Sequence, residues 1–171
     1  MANVKAALIV GAGEATGGAI ARRFAREGFT ACVTRRNADK LKPLVDRIAA
    51  EGGRARAFGS DARREEQVVE LVQTIEREVG PIEVCAFNVG GNVRFPIREL
   101  GPEGIHVAHV VIDGAIDTPF IRDNFPERYA LKQQAGILDP EAIAEAFWQL
   151  HLQQRSAWTH ELDLRPWMEP F

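Results

Sequence analysis

Directly after the wholly apolar stretch Ala6–Val10 the chain runs Gly11-Ala12-Gly13-Glu14-Ala15-Thr16-Gly17-Gly18-Ala19-Ile20-Ala21. Glycines between a strand and a helix let the backbone come close to a bound group. The first turn of such a helix offers unpaired N–H groups and the positive end of its dipole. This is chemistry for a phosphate or pyrophosphate. A tight turn with no ligand uses the same glycines, and the strand, turn and helix order is what favours a nucleotide. Arg35-Arg36 stand at the end of a second apolar run, where two guanidinium groups suit a phosphate dianion or form a solvated basic pair. Asp61 precedes a helical run, where its carboxylate is placed to serve as an N-cap.

Other reactive side chains are sparse. The four histidines have no ligand spacing, so no metal site is expected. Cys32 and Cys85 lie in apolar runs and read as buried, reduced thiols. The one tyrosine, Tyr129, has Gln133 four residues on and Lys132 at three, and the only serines are Ser60 and Ser156. Trp148, Trp158, Trp167 and Phe171 make the C-terminal region aromatic, which suits core packing or a subunit contact, or a substrate pocket.

The elements that hold these residues follow from periodicity. The expected order is strand Ala6–Val10, helix Gly17–Glu27, strand Phe29–Thr34, helix Asp39–Glu51, strand Arg56–Phe58, helix Glu65–Val79 and strand Ile82–Phe87. Val68, Leu71, Val72, Ile75 and Val79 form one stripe of the third helix. The second half is less regular, with a strand over Ile105–Ile112 and helical character over Pro119–Gln134, interrupted near Pro126. A helix from Pro140 to about Leu152, capped by Asp139, and a strand over Trp158–Leu164 follow. Alternating strands and helices imply a Rossmann-type α/β fold, a doubly wound parallel sheet in three αβα layers with right-handed crossovers. The 171 residues, 46% hydrophobic and 26% charged, suit one globular domain. A net charge of -3 provides no basic excess for nucleic acid, and no apolar run is long enough for a membrane span. The short N-terminal stretch before the glycines does not read as a signal peptide, and a cytoplasmic protein is expected.

In order and spacing these features resemble the short-chain dehydrogenase/reductase family, whose turn reads TGxxxGxG. Gly11 and Gly17 match its first and last glycines, with Val10 in place of the threonine and Ala15 in place of the middle glycine. Phe87-Asn88-Val89-Gly90 stands where the family has NNAG. Glu99-Leu100-Gly101-Pro102-Glu103-Gly104-Ile105-His106-Val107 resembles its ELGPxGIRV run, and Asp117-Thr118-Pro119 its later threonine segment. The resemblance covers nearly the whole chain. It implies a dinucleotide site made of Gly11, Gly13, Glu14, Ala15, Thr16 and Gly17 for the pyrophosphate, with Arg35 and Arg36 where NAD users have an acid. It further implies Asp61 and Ala62 at the adenine, Asn88 and Gly90 beside the ribose, and Thr118 at the nicotinamide or pyrophosphate. The expected cofactor is NADP(H) rather than NAD(H), although Glu14 stands where NADP users often have a neutral or basic residue.

The resemblance also implies what is missing. The family reduces carbonyls or oxidises alcohols with a tyrosine, a lysine four residues later and a serine, and none of Tyr129, Lys132, Ser60 or Ser156 fits those places. Asn92–Ile97 resembles the sequence after the fourth strand, and Arg98–Gly104 the end of the helix that carries the tyrosine and lysine. Between them the family has a strand, two long helices and the catalytic set, on the order of sixty to seventy residues. The gap is native, engineered, or a segment not carried in this sequence. Three functions stay open: a dinucleotide-binding protein without family-like catalysis, an active NADP(H)-dependent carbonyl reductase or alcohol dehydrogenase whose catalytic segment lies elsewhere, and an interaction protein that binds no cofactor. A homo-oligomer is expected to use the C-terminal helix and strand. A chain break is expected between about Val93 and Arg98.

Overall fold

The computed structural model describes residues 4–89 and 97–168. Gly90 and residues 93–96, most of the interval of the expected chain break, fall outside these residues. The chain divides into two compact units, residues 1–89 and 90–171, each with its own sheet.

In the first unit, β1 (Ala6–Val10), β2 (Thr30–Arg35), β3 (Arg54–Gly59) and β4 (Ile82–Phe87) form one parallel sheet in the order β3-β2-β1-β4. β1 is apolar throughout because it lies between two strands and is covered on both faces. Helix α3 (Glu65–Glu78) covers one face, where Leu71 and Ile75 pack on Ala6, Leu8 and Cys32, with Val72 and Val79 at the margin. The alternate residues Ala7, Ile9, Ala31 and Val33 are buried on the opposite face, the side of α1 (Thr16–Arg26) and α2 (Lys42–Ala50). A side chain buried this fully is worth about 1.5–3 kcal/mol for a residue the size of valine or isoleucine.

Two boundaries depart from the periodicity. The expected helix Asp39–Glu51 opens as a 3-10 turn, Ala38–Leu41, capped by the Asn37 side chain, and becomes α-helical only at Lys42. Pro43 has no N–H to donate back to Asp39, so a regular helix cannot start earlier. β3 is longer than Arg56–Phe58 because it pairs along the whole of β2, although its Arg-Ala alternation gives little apolar signal. Leu8 of β1 pairs with Cys32 on one side and Cys85 on the other, so a strand separates the two thiols, and both are free. Cys32 is buried as expected, but Cys85 is exposed. Among the described residues β4 pairs only with β1 and ends the sheet, with Phe87 65% exposed and Val89 42% exposed.

In the second unit β5 (His109–Ile112) and β6 (Glu161–Leu164) form a separate two-stranded parallel sheet. Both are shorter than the apolar runs that suggested them. Ahead of the ladder, His106 stacks on Trp158 with ring centroids 4.8 Å apart and bonds the Thr159 carbonyl at 2.7 Å, so side-chain contacts replace backbone pairing there. α4 (Pro119–Asn124) and α5 (Pro126–Ala130) are divided at Pro126, and a 3-10 turn at Leu131–Gln134 follows. Helix α6 (Pro140–His151) begins as expected, with the Asp139 carboxylate accepting from the Glu141 N–H at 2.9 Å. No helix of the described residues is long and apolar enough to cross a membrane, and none of them form a cluster of three or more metal-ligating side chains.

Candidate functional site

β1 to β4 run parallel, so the turn after β1, the end of β2, the loop after β3 and the end of β4 all meet one edge of the sheet. The chain moves outward from β1 to β2 and β3, then crosses back to place β4 on β1's other side. This reversal is a topological switch point, where open α/β sheets leave a crevice beyond the strand ends.

The turn is built around Gly11. Its φ is +83°, and an added Cβ would overlap the Asn88 carbonyl oxygen. The N–H groups of Gly11 and Ala12 both donate to the Thr34 carbonyl at 3.0 Å, tying the turn to the residue just before Arg35. From the other side, the Asn88 N–H donates to the Val10 carbonyl at 2.8 Å and Asn88 Nδ2 donates to the Gly11 carbonyl at 3.2 Å. Gly17 is equally constrained, since a Cβ there would lie 2.8 Å from the Gly11 carbonyl oxygen and 2.9 Å from Asn88 Nδ2. Gly13 differs, with nothing within 4 Å of an added Cβ. The two flanking glycines thus seat the turn against protein, and the middle one faces open space.

α1 follows with Ala15 at its N-cap, no side-chain cap bond and no acidic residue in its first turn. The N–H groups of a first helical turn have no partner within the helix, and the dipole adds positive potential there. Thr16 is buried, while Glu14 is exposed just ahead of the helix. Arg35 ends β2 half-buried and Arg36 is exposed beside it.

Beyond β3, the Ser60 N–H donates to the Arg35 carbonyl at 3.2 Å, joining the loop to β2. The Ser60 hydroxyl is buried with no hydrogen-bond partner. Asp61 and Ala62 are half-buried. The N-cap of α3 is Arg64, so the Asp61 side chain does not take the capping place open to it in the sequence. Its carboxylate is instead gripped by Arg63, whose Nε lies 2.9 Å from Oδ1 and whose terminal nitrogen lies 2.6 Å from Oδ2. The Arg63 side-chain and backbone hydrogen bonds, with the Arg36 charge, hold the Asp61 carboxyl well below the usual carboxylate range. Arg63, and Gln67, whose Oε1 accepts from the Asp61 N–H at 2.8 Å, hold this aspartate and are not evident from motif spacing; the trace in the sequence is a guanidinium two residues after a carboxylate.

Asn88 joins the turn as described, and Gly90 lies outside the described residues. Thr118 belongs to the second unit, where its hydroxyl caps α4 by accepting from the Ile121 N–H at 3.1 Å. Tyr129 and Lys132 are also there. Lys132 Nζ is 2.7 Å from Asp117 Oδ2 and 5.6 Å from the Tyr129 ring centroid, and the Asp117 hydrogen bond raises the lysine's pKa.

A family model described as short chain dehydrogenase matches residues 5–123. The 2,3-dihydro-2,3-dihydroxybenzoate dehydrogenase of Bacillus subtilis is 39% identical over 90 residues, 53% of this chain and 34% of the relative. A short chain dehydrogenase of Pseudocercospora fijiensis is 36% identical over 145 residues, 84% of this chain and 46% of the relative. The chain thus spans between a third and a half of the length of these curated relatives. Among solved structures, a short-chain dehydrogenase from Rhodopseudomonas palustris is 31% identical with a TM-score of 0.66, covering 98% of this chain and 100% of that one. A metagenomic short-chain oxidoreductase in complex with NADP shares the fold at a TM-score of 0.69 and 17% identity, covering 96% of this chain and 98% of that one. The chain belongs to the short chain dehydrogenase family and carries its Rossmann-type α/β oxidoreductase fold.

Proposed function

We propose that this chain binds NADP(H) at the strand-end crevice of the first unit and, with the residues it has, does not transfer hydride at a family-like rate. The observation that carries the reading is the junction of the turn with β2. Two turn N–H groups bond to the Thr34 carbonyl, so Arg35 starts one residue from the phosphate cradle, in the place where a carboxylate would repel a 2′-phosphate. Gly13 supplies the open backbone and the first turn of α1 the donors for the pyrophosphate. Asp61 would accept from the adenine amine beside Ala62, and Asn88, which braces the turn, would stand beside the ribose. The bound dinucleotide supplies hydride chemistry. Tyr129 and Lys132 lack the four-residue spacing of an acid–base pair, and Lys132 is already engaged by Asp117.

Fluorescence titration tests this. Changing Arg35 and Arg36 together to alanine is expected to weaken NADPH binding by roughly tenfold or more and to leave NADH binding nearly unchanged. Equal losses for both would overturn the cofactor preference, and no binding of either would leave an interaction protein. Among the described residues β4 has no neighbour on its outer side and β5 and β6 form a separate sheet, which favours a second reading, an active NADP(H)-dependent carbonyl reductase or alcohol dehydrogenase whose catalytic segment is not in this sequence. Intact mass of the natively expressed protein separates the two. A mass above that of these 171 residues by about 7 kDa supports the active enzyme.

A further inference from the structure

Three groups of Asp61 are held at once. Its carboxylate takes the Arg63 fork at 2.9 and 2.6 Å and the Arg63 N–H at 3.2 Å. Its own N–H donates to Gln67 Oε1 at 2.8 Å, and its carbonyl accepts from the Arg64 N–H at 2.9 Å. The Arg63 side chain is nonetheless 75% exposed and that of Asp61 20%. An ion pair this open to water contributes little to stability. What a side-on fork does provide is direction, because two parallel N–H···O bonds fix the carboxylate plane. A carboxylate has about four acceptor sites. Oδ1 uses two, on Arg63 Nε and the Arg63 N–H, and Oδ2 uses one on the terminal nitrogen. One site on Oδ2 remains.

We propose that Arg63 is a positioning residue of the adenine end, aiming the remaining Oδ2 site of Asp61 at the exocyclic amine and so setting the preference for an amino purine over an oxo purine. The inference rests on the reading of Asp61 given above. Its measure is the ratio of Kd for the reduced hypoxanthine analogue of NADPH, in which an oxo group replaces the amine, to Kd for NADPH itself. For the unaltered chain we expect roughly tenfold, the worth of one charged hydrogen bond. Asp61→Ala is expected to bring the ratio to about one. Arg63→Ala is expected to lower it to about two- or threefold with a melting temperature within about 1 °C of the parent. Arg63→Lys keeps the charge but not the fork, so it is expected to behave as the alanine variant does and covers the case in which that variant misfolds. A parental ratio in both Arg63 variants, with the ratio lost in Asp61→Ala, would overturn this inference alone. A ratio above the parent's would make Arg63 a competitor for the carboxylate and would also overturn it. A ratio of one in the unaltered chain would defeat the Asp61 reading, and the inference with it, even where the Arg35 and Arg36 changes still weaken NADPH binding.

Discussion

Gly11 accepts no side chain for two independent reasons, its positive φ and the Asn88 carbonyl where a Cβ would go. Gly11→Ala is therefore expected to destabilise the first unit by about 2 kcal/mol or more, read as a lower urea midpoint. Gly13→Ala, with open space around its Cβ, is expected to leave the stability within about 1 kcal/mol of the parent and to weaken NADPH binding instead. The cysteines make a second contrast. Cys85 is exposed, although desolvation by its neighbours raises its thiol pKa, and it is expected to react with a thiol reagent in the folded protein more slowly than a free cysteine does, whereas Cys32, fully buried, reacts only on unfolding. Burial pushes the Cys32 thiol up to about 11, so the folded state holds this proton more tightly than the unfolded chain. That contribution is complete below about pH 9 and is lost as pH rises toward 11, by about 2 kcal/mol. Cys32→Ala is expected to flatten the fall in melting temperature between pH 8.5 and about 10.5; an unchanged fall would assign it to other groups.

At the scale of elements, α6 offers a clean test of local signals. Asp139→Ala removes the acceptor for the Glu141 N–H and is expected to cost about 1 kcal/mol, restored by Asp139→Asn, in thermal melts followed by circular dichroism. This cap is legible from the residues alone, as are β1, a continuous apolar run closed by Gly11, and β4, a largely apolar run that opens after Pro81 and is broken only by Glu83. β3 is obscured by its arginines. Arg54 reaches the Gly28 carbonyl and Arg56 reaches Glu78, so both sit on an edge strand as partners of groups that periodicity does not see. β5 and β6 fail differently, because each pairs over only four residues and the apolar stretches beyond them are held by side chains such as His106 and Trp158. The glycine turn is legible because backbone geometry demands particular residue types there. Arg63 is not, since an arginine in an Arg-Arg-Glu-Glu stretch reads as a solvated face until its guanidinium is seen on Asp61.

Over the whole molecule, protection is concentrated where strands have neighbours on both sides. Among the described residues β1 and β2 are inner strands with buried residues on both faces, β4 is an edge, and β5 and β6 pair only with each other. Hydrogen exchange of the free protein is expected to be slowest at Leu8, Ile9, Cys32 and Val33 and markedly faster at His109–Ile112 and Glu161–Leu164. Uniform protection across both sheets would mean that the two units open together. The pairing of β1 with β4 has a further consequence for the order in which the protein is made. β1 leaves the ribosome first, but its β4 partner begins at Ile82, so at about 5–20 residues per second one flank of β1 waits several seconds for a partner. The crevice closes only when Asn88 arrives to bond Val10 and Gly11, so dinucleotide can begin to assist the newborn chain only after that residue has emerged.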